Sequence, residues 1–262
     1  MIRFSQYGDF NDPFELNSNI NKIAEEDEIR RLADKDFKKL IEEEYSNHPI
    51  VSAFISKEAF IQLAEMKKES IIGNVIGMER QLVDLLPGML KTISNSMLGA
   101  LSLSEICTHE LMWPHYAEDH KGFVIGFNCD HPFFNQKISD ADELRHLKRV
   151  DYREVPPVIS LMNVTGTELY FVKSKKWSYE SEWRMLMPLS DSSKVIERQP
   201  YPIHLFSYPA ESVSEVILGA RMSEQDKKMI QTILGSHQKY SHVKLSQACL
   251  DNSTYNIFLR QV

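Results

Sequence analysis

The spacing of apolar positions changes character once along the chain, near Gly99. Between Asn19 and Tyr45, Ile23, Ile29, Leu32, Phe37, Leu40 and Ile41 recur at near-helical intervals amid dense charge, which predicts one or two amphipathic helices. Pro49 is expected to end that stretch. Ser56 offers an N-cap, and a second helical pattern runs to about Leu86, where Pro87-Gly88 is expected to break it. Beyond Gly99 the pattern reads as strand, first at Ala100–Ser104 and then at Gly122–Phe127, with a short helix or turn over Glu110–Glu118 between them. Lys148–Tyr152, Trp183–Met187, Val213–Leu218, Val243–Ala248 and Tyr255–Leu259 are further strand candidates. Thr167–Lys175 and Ser223–Leu234 read as helices, the second starting from a Ser-x-x-Asp cap. The first 16 residues carry the turn signals Gly8-Asp9 and Asn11-Asp12-Pro13 and read as loop. The expected fold class is α+β, a mixed, mainly antiparallel sheet with a helical N-terminal third. No repeat, low-complexity tract or linker interrupts the chain, so residues 1–262 are expected to form a single α+β domain with a helical insertion at about 19–95.

Composition narrows the classes of function. With 42% hydrophobic and 26% charged residues the chain is neither disordered nor membrane-like. No apolar run approaches the roughly 20 residues that span a bilayer. Met1–Gln6 has no apolar signal-peptide core, so no membrane partner and a cytoplasmic location are expected. Cys107, Cys129 and Cys249 are scattered and odd in number, which fits neither a disulfide framework nor a CxxC metal site. A net charge of −7 offers no global field for nucleic acid, so that partner is not favoured. Local basic clusters stand at Lys173–Lys176 and Arg145–Arg149, of a size that is usually a solvated surface.

Common catalytic signatures are missing. There is no GxxxxGK[ST] loop, no GxGxxG turn and no GxSxG elbow. His109-Glu110 begins like HExxH, but Trp113 stands where the second histidine belongs, so no metal site is assigned.

Three segments carry chemical signal. Phe10–Glu15 (FNDPFE) reads either as a rigid turn between two buried phenylalanines or as a cleft edge lined by Asn11, Asp12 and Glu15. Leu111–Phe127 places Trp113, His115 and Tyr116 ahead of an apolar strand; such rings fill cores, and they also stack a nicotinamide or a base. Trp177–Arg184 (WSYESEWR), if extended, puts Trp177, Tyr179, Ser181 and Trp183 on one face and Ser178, Glu180, Glu182 and Arg184 on the other. Two carboxylates and a guanidinium in one row suit a cationic, oxocarbenium-like transition state, with Arg184 pairing Glu182 or holding a phosphate. The alternative is a charge-paired solvent face, or a helical turn joining Glu180 to Arg184.

Taken in order, FNDPFE, Ser102–Glu105 (SLSE), Met112–Ala117 (MWPHYA), His120–Phe127 (HKGFVIGF), Lys173–Arg184 (K-x(3)-W-x-YE-x-EWR) and Glu215–Ser223 (EVILGARMS) resemble a bacterial family catalogued as domain of unknown function 2971. The resemblance spans most of the chain. It implies a strand and helix ahead of the FNDPFE turn, often with a Tyr- or Arg-bearing strand, whereas this chain begins almost at the turn.

Three functional expectations follow. An ADP-ribosyltransferase-like enzyme would split NAD, its substrate, using Glu180, Glu182 and Arg184. Asn11, Asp12, Glu15, Trp113, His115, Tyr116, Lys173 and Trp177 would then bind ligand. A non-catalytic nucleotide- or protein-binding module of a phage-defence or stress system would use the charged surface of the insertion. A metal-dependent nuclease would use Asp12, Glu15, His115 and Lys173. The sequence assigns no cofactor and leaves all three open.

Overall fold

In a computed structural model of the chain, residues 1–16, 19–160, 162 and 167–262 are described, and they form two compact units. One comprises residues 1–16, 92–155 and 167–262; the other comprises residues 17–91 and 156–166. The architecture is α+β, with a helical N-terminal region and mainly antiparallel strand pairs. No helix among the described residues is long and apolar enough to cross a membrane.

The second unit is the helical one. Its helices are Glu26–Asn47, Pro49–Phe54, Lys57–Met66 and Lys68–Val83, beside a parallel strand pair, Asn19–Lys22 with Val158–Ser160. Phe37, Ala64, Ile72, Ile76 and Val83 are its buried helical positions. Ser56 caps as expected, its hydroxyl accepting from the Ala59 N–H at 3.2 Å. Three boundaries differ from the sequence reading. Asn19–Lys22 is strand, and the helix begins only at Glu26. Pro49 and Pro87 each stand in the first turn of a new helix, Pro49–Phe54 and Leu86–Met97, so each opens a helix as well as closing its predecessor. A proline lacks only an N–H that the first turn leaves unused, and its fixed φ suits a helix start.

The first unit holds the sheets. Val213–Leu218 pairs in parallel with Lys244–Asp251 and antiparallel with Phe123–Phe127, and Asn256–Gln261 completes that four-stranded sheet. Helix Glu224–Ser236 follows Ser223, whose hydroxyl accepts from the Asp226 N–H. A second sheet has Glu182–Pro188 at its centre, between Leu98–Ser104 and Lys148–Arg149. Phe4, Leu101, Phe134, Met185, Met187 and Phe206 form one core cluster; Trp113, Ala117, Ile217, Ala248 and Ile257 form another.

Further corrections concern this unit. The first 16 residues are not all loop: Ile2–Phe4 is a strand paired antiparallel with Ile203–Phe206. A strand bearing Arg3 therefore does precede the FNDPFE turn. Thr167–Lys175 is not a helix but a short 3-10 turn, Glu168–Phe171, followed by strand Val172–Ser174. Trp177–Glu180 is not extended either; Lys175–Glu180 is a 3-10 turn, Ser181 sits at φ 45°, and the strand begins at Glu182. In both segments the burial of Lys173 and Glu180 overrides local propensity.

Gly219 joins two of the family-like motifs. Its N–H donates to the Gly122 carbonyl at 2.9 Å, and a Cβ there would lie 2.2 Å from the His120 carbonyl oxygen. The obstacle is backbone, in a turn where Glu118, Asp119 and His120 all have positive φ. Gly219→Ala is expected to cost about 1–3 kcal/mol of stability, read by urea denaturation. An unchanged midpoint would mean that the turn yields freely.

Candidate functional site

Glu182–Pro188 is the middle strand of its sheet, with both edges paired, and most of its side chains, on either face, are buried. That position is apt for Met185, Leu186 and Met187 but costly for Glu182 and Arg184. Arg184 has no exposed surface, and all five of its N–H groups are used. Nε donates to Glu182 Oε1 at 2.6 Å and Nη2 to Glu182 Oε2 at 3.0 Å. Nη1 donates to Glu15 Oε2 and to the Tyr170 carbonyl, each at 2.9 Å, and Nη2 also reaches Glu15 Oε1 at 2.5 Å. The guanidinium is thus a double fork between two carboxylates.

Lys173 ties in the third carboxylate. Strand Val172–Ser174 pairs in parallel with Asp151–Arg153 and carries Lys173 inward, so this member of the KSKK cluster is buried instead of solvated. Its Nζ donates to Glu180 Oε2 and, at 2.9 Å, to Glu182 Oε2, and it lies 3.7 Å from Glu15 Oε1. The Tyr116 hydroxyl donates to Glu180 Oε1 at 2.6 Å. Tyr152 accepts from the Glu182 N–H at 2.8 Å, and the Ser104 hydroxyl donates to the Glu180 carbonyl at 2.6 Å. Three carboxylates therefore meet two cations, which leaves one surplus negative charge.

The protonation behaviour follows from this arrangement. Burial alone would raise Glu182, but the charge and hydrogen bonds of Arg184, with help from Lys173, hold it down at about 2. For Glu15 burial wins over Arg184 and Lys173, and its pKa is raised. Burial also opposes the charged forms of Lys173 and Arg184, yet their carboxylate partners raise both. Tyr116 is pushed up by burial and by its bond to Glu180, so it stays a neutral donor.

A cavity of about 1190 Å³ opens on this cluster. Asn11, Asp12, Glu15, Trp113, Tyr116, Lys173, Glu180 and Glu182 all line it, so eight of the eleven residues singled out from sequence share one wall system. The other three do not line it. Arg184 lies behind Glu15 and Glu182 with no exposed surface. His115 is exposed, and Trp177 lies over Lys173, whose Nζ is 5.0 Å from its ring centre. Glu180 makes no pair with Arg184, so the helical-turn alternative is overturned. In FNDPFE the two phenylalanines are not the buried pair; Phe14 is 67% exposed, while Asp12 and Glu15 are buried. Asp12 Oδ1 accepts from the Phe14 N–H at 2.9 Å, which closes the turn and aims Glu15 inward. Trp113 is at once core and wall, its Nε1 donating to the Cys107 carbonyl at 2.9 Å. Ser104 and Tyr152 were not legible as site residues, although Ser104 stands in the SLSE motif.

Residues 112–185 match the model of a family described as a protein of unknown function (DUF2971). No curated protein and no solved structure matches the chain. Over that matched segment, which supplies Tyr116, Lys173, Glu180, Glu182 and Arg184 to the cluster, the chain carries the DUF2971 family pattern, as its ordered motifs led us to expect.

Proposed function

We propose that this chain is a ligand-binding module whose cavity receives a cationic group. The observation that carries the reading is charge: eight carboxylates line the cavity (Asp9, Asp12, Glu15, Glu105, Asp130, Glu180, Glu182 and Glu215) against Arg3, Lys137 and Lys173. Once Arg184, Arg149 and Arg198, which pair with four of them, are counted, two negative charges remain in surplus. Low-dielectric walls focus such a field and favour a cation inside. Tyr116, exposed and lining the cavity, adds a ring of the kind that attracts cations. The same surplus opposes the diphosphate of a dinucleotide.

Calorimetric titration with L-arginine ethyl ester tests this. Saturable binding that weakens as salt rises is expected, with a loss of about tenfold in Glu180→Gln, the order of one charge-assisted hydrogen bond. That variant leaves Lys173 paired with Glu182 and keeps Arg184 intact. Absence of binding to the folded protein would sink the reading.

One feature supports an NAD-splitting enzyme as a second reading. Glu182 lines the cavity and is held ionised, as the carboxylate facing an oxocarbenium ion must be. Its oxygens, however, are already taken by Arg184 and Lys173. Release of nicotinamide from NAD that vanishes in a folded Glu182→Gln protein would favour this enzyme over the binding module. A nuclease built on Asp12, Glu15, His115 and Lys173 has less support, since Glu15 is locked to Arg184 and His115 lies off the cavity.

A further inference from the structure

The Leu98–Ser104 strand is an edge strand of its sheet, and its free side is only partly used. Ala100 exchanges both backbone hydrogen bonds with Ser5, each 2.9 Å long; the bridge is antiparallel, so the residues that run on toward Ser102 are those before Ser5, and these, Ile2–Phe4, pair with Ile203–Phe206 instead. Alternation then fixes the direction of the next groups. If the Ala100 N–H and C=O point away from the central strand, so do those of Ser102 and Ser104. The central strand agrees: opposite Ala100 and Ser104, the Leu186 N–H and the Glu182 carbonyl are turned to the far side, toward Leu144 and Val150. Among the described residues, no strand pairs with Ser102 or Ser104 on that free side. Both residues line the cavity.

The geometry points to strand addition: an extended peptide bearing a basic side chain pairs with the Ser102–Ser104 edge, beyond the single Ser5–Ala100 bridge. Cross-strand neighbours share a face, so a peptide residue opposite Ser102 or Ser104 sends its side chain to the face that holds Arg184 and Glu182. An arginine or lysine there meets the surplus carboxylate charge of the cavity. The backbone edge supplies affinity and the carboxylates select the side chain, which is how strand-addition sites divide their work. The occupant is a basic peptide segment, and this inference rests on the cavity being cation-binding as proposed above.

A fluorescein-labelled octapeptide of alternating threonine and arginine, followed by fluorescence anisotropy, tests it. Strand pairing uses every second peptide amide. N-methylation of one alternate set is therefore expected to weaken binding by about tenfold or more, and methylation of the other set to leave it nearly unchanged. Arginine ethyl ester is expected to displace the peptide. If both methylated sets bind like the parent while arginine ethyl ester still binds, strand addition is overturned and cation recognition survives. If neither the peptide nor arginine ethyl ester binds the folded protein, both fall together.

Discussion

Replacing Arg184 with methionine is expected to lower the unfolding free energy by about 3–5 kcal/mol, the range for breaking a buried ion pair from one side. The reason is the company Arg184 keeps. It has no exposed surface, and it neutralises Glu15 and Glu182 through two forks. Without it, Lys173 alone faces three buried carboxylates. Arg184→Lys is expected to recover little, because an ammonium cannot reproduce two bidentate contacts. Adding Glu15→Gln and Glu182→Gln to Arg184→Met is expected to restore part of the loss by removing the stranded charges. Urea denaturation followed by circular dichroism reads all of these. A loss under about 1 kcal/mol for Arg184→Met would place it among ordinary substitutions and contradict its role as the hub.

Stability is expected to depend on pH with opposite signs from two members of the cluster. Glu182 is depressed from 4.5 to about 2 in the folded chain. A depressed carboxylate binds fewer protons when folded, so its contribution is present above the unfolded value and lost as pH falls toward 2. The size is on the order of 3 kcal/mol. Glu15 is raised from the same 4.5, and the sign reverses. Its contribution is full below the unfolded value and disappears as pH climbs through the raised one. Asp142 is also depressed, chiefly by backbone N–H groups that outweigh its burial, and adds to the acid-side loss. Comparison with variants isolates each group: Glu182→Gln is expected to flatten the acid limb, and Glu15→Gln the limb above 4.5. Superimposable stability curves for wild type and Glu182→Gln between pH 2 and 5 would refute the assignment.

Much of the fold was legible because local patterns decided it. Val213–Leu218 is strand over the very residues that its apolar run marks, and Ser56 and Ser223 cap helices as their spacing requires. What misled was burial imposed from a distance. Lys173 sits in a run of basic letters, and only its contact with Glu180 and Glu182 reveals that it turns inward. The alternation over Trp177–Glu180 suggests a strand, but those residues coil so that Glu180 can reach Lys173. Ile2–Phe4 was too short to register without its partner Ile203–Phe206. Glu15 and Arg184 are 169 residues apart, and no spacing rule joins them. The ordered motifs do carry Glu15, Tyr116, Lys173, Glu180 and Glu182, and these line one cavity. Arg184 pairs with Glu182, one of the two roles expected of it, and holds the carboxylates from behind without lining the cavity.

This division between a hub behind the cavity and the carboxylates that line it makes a direct test available. A crystal structure of the protein soaked with L-arginine ethyl ester is expected to show the guanidinium within hydrogen-bonding distance of Glu180, with Arg184 still forked between Glu15 and Glu182. Ligand density elsewhere on the surface, or a cavity left empty at saturating ligand, would contradict a cation site built on this cluster.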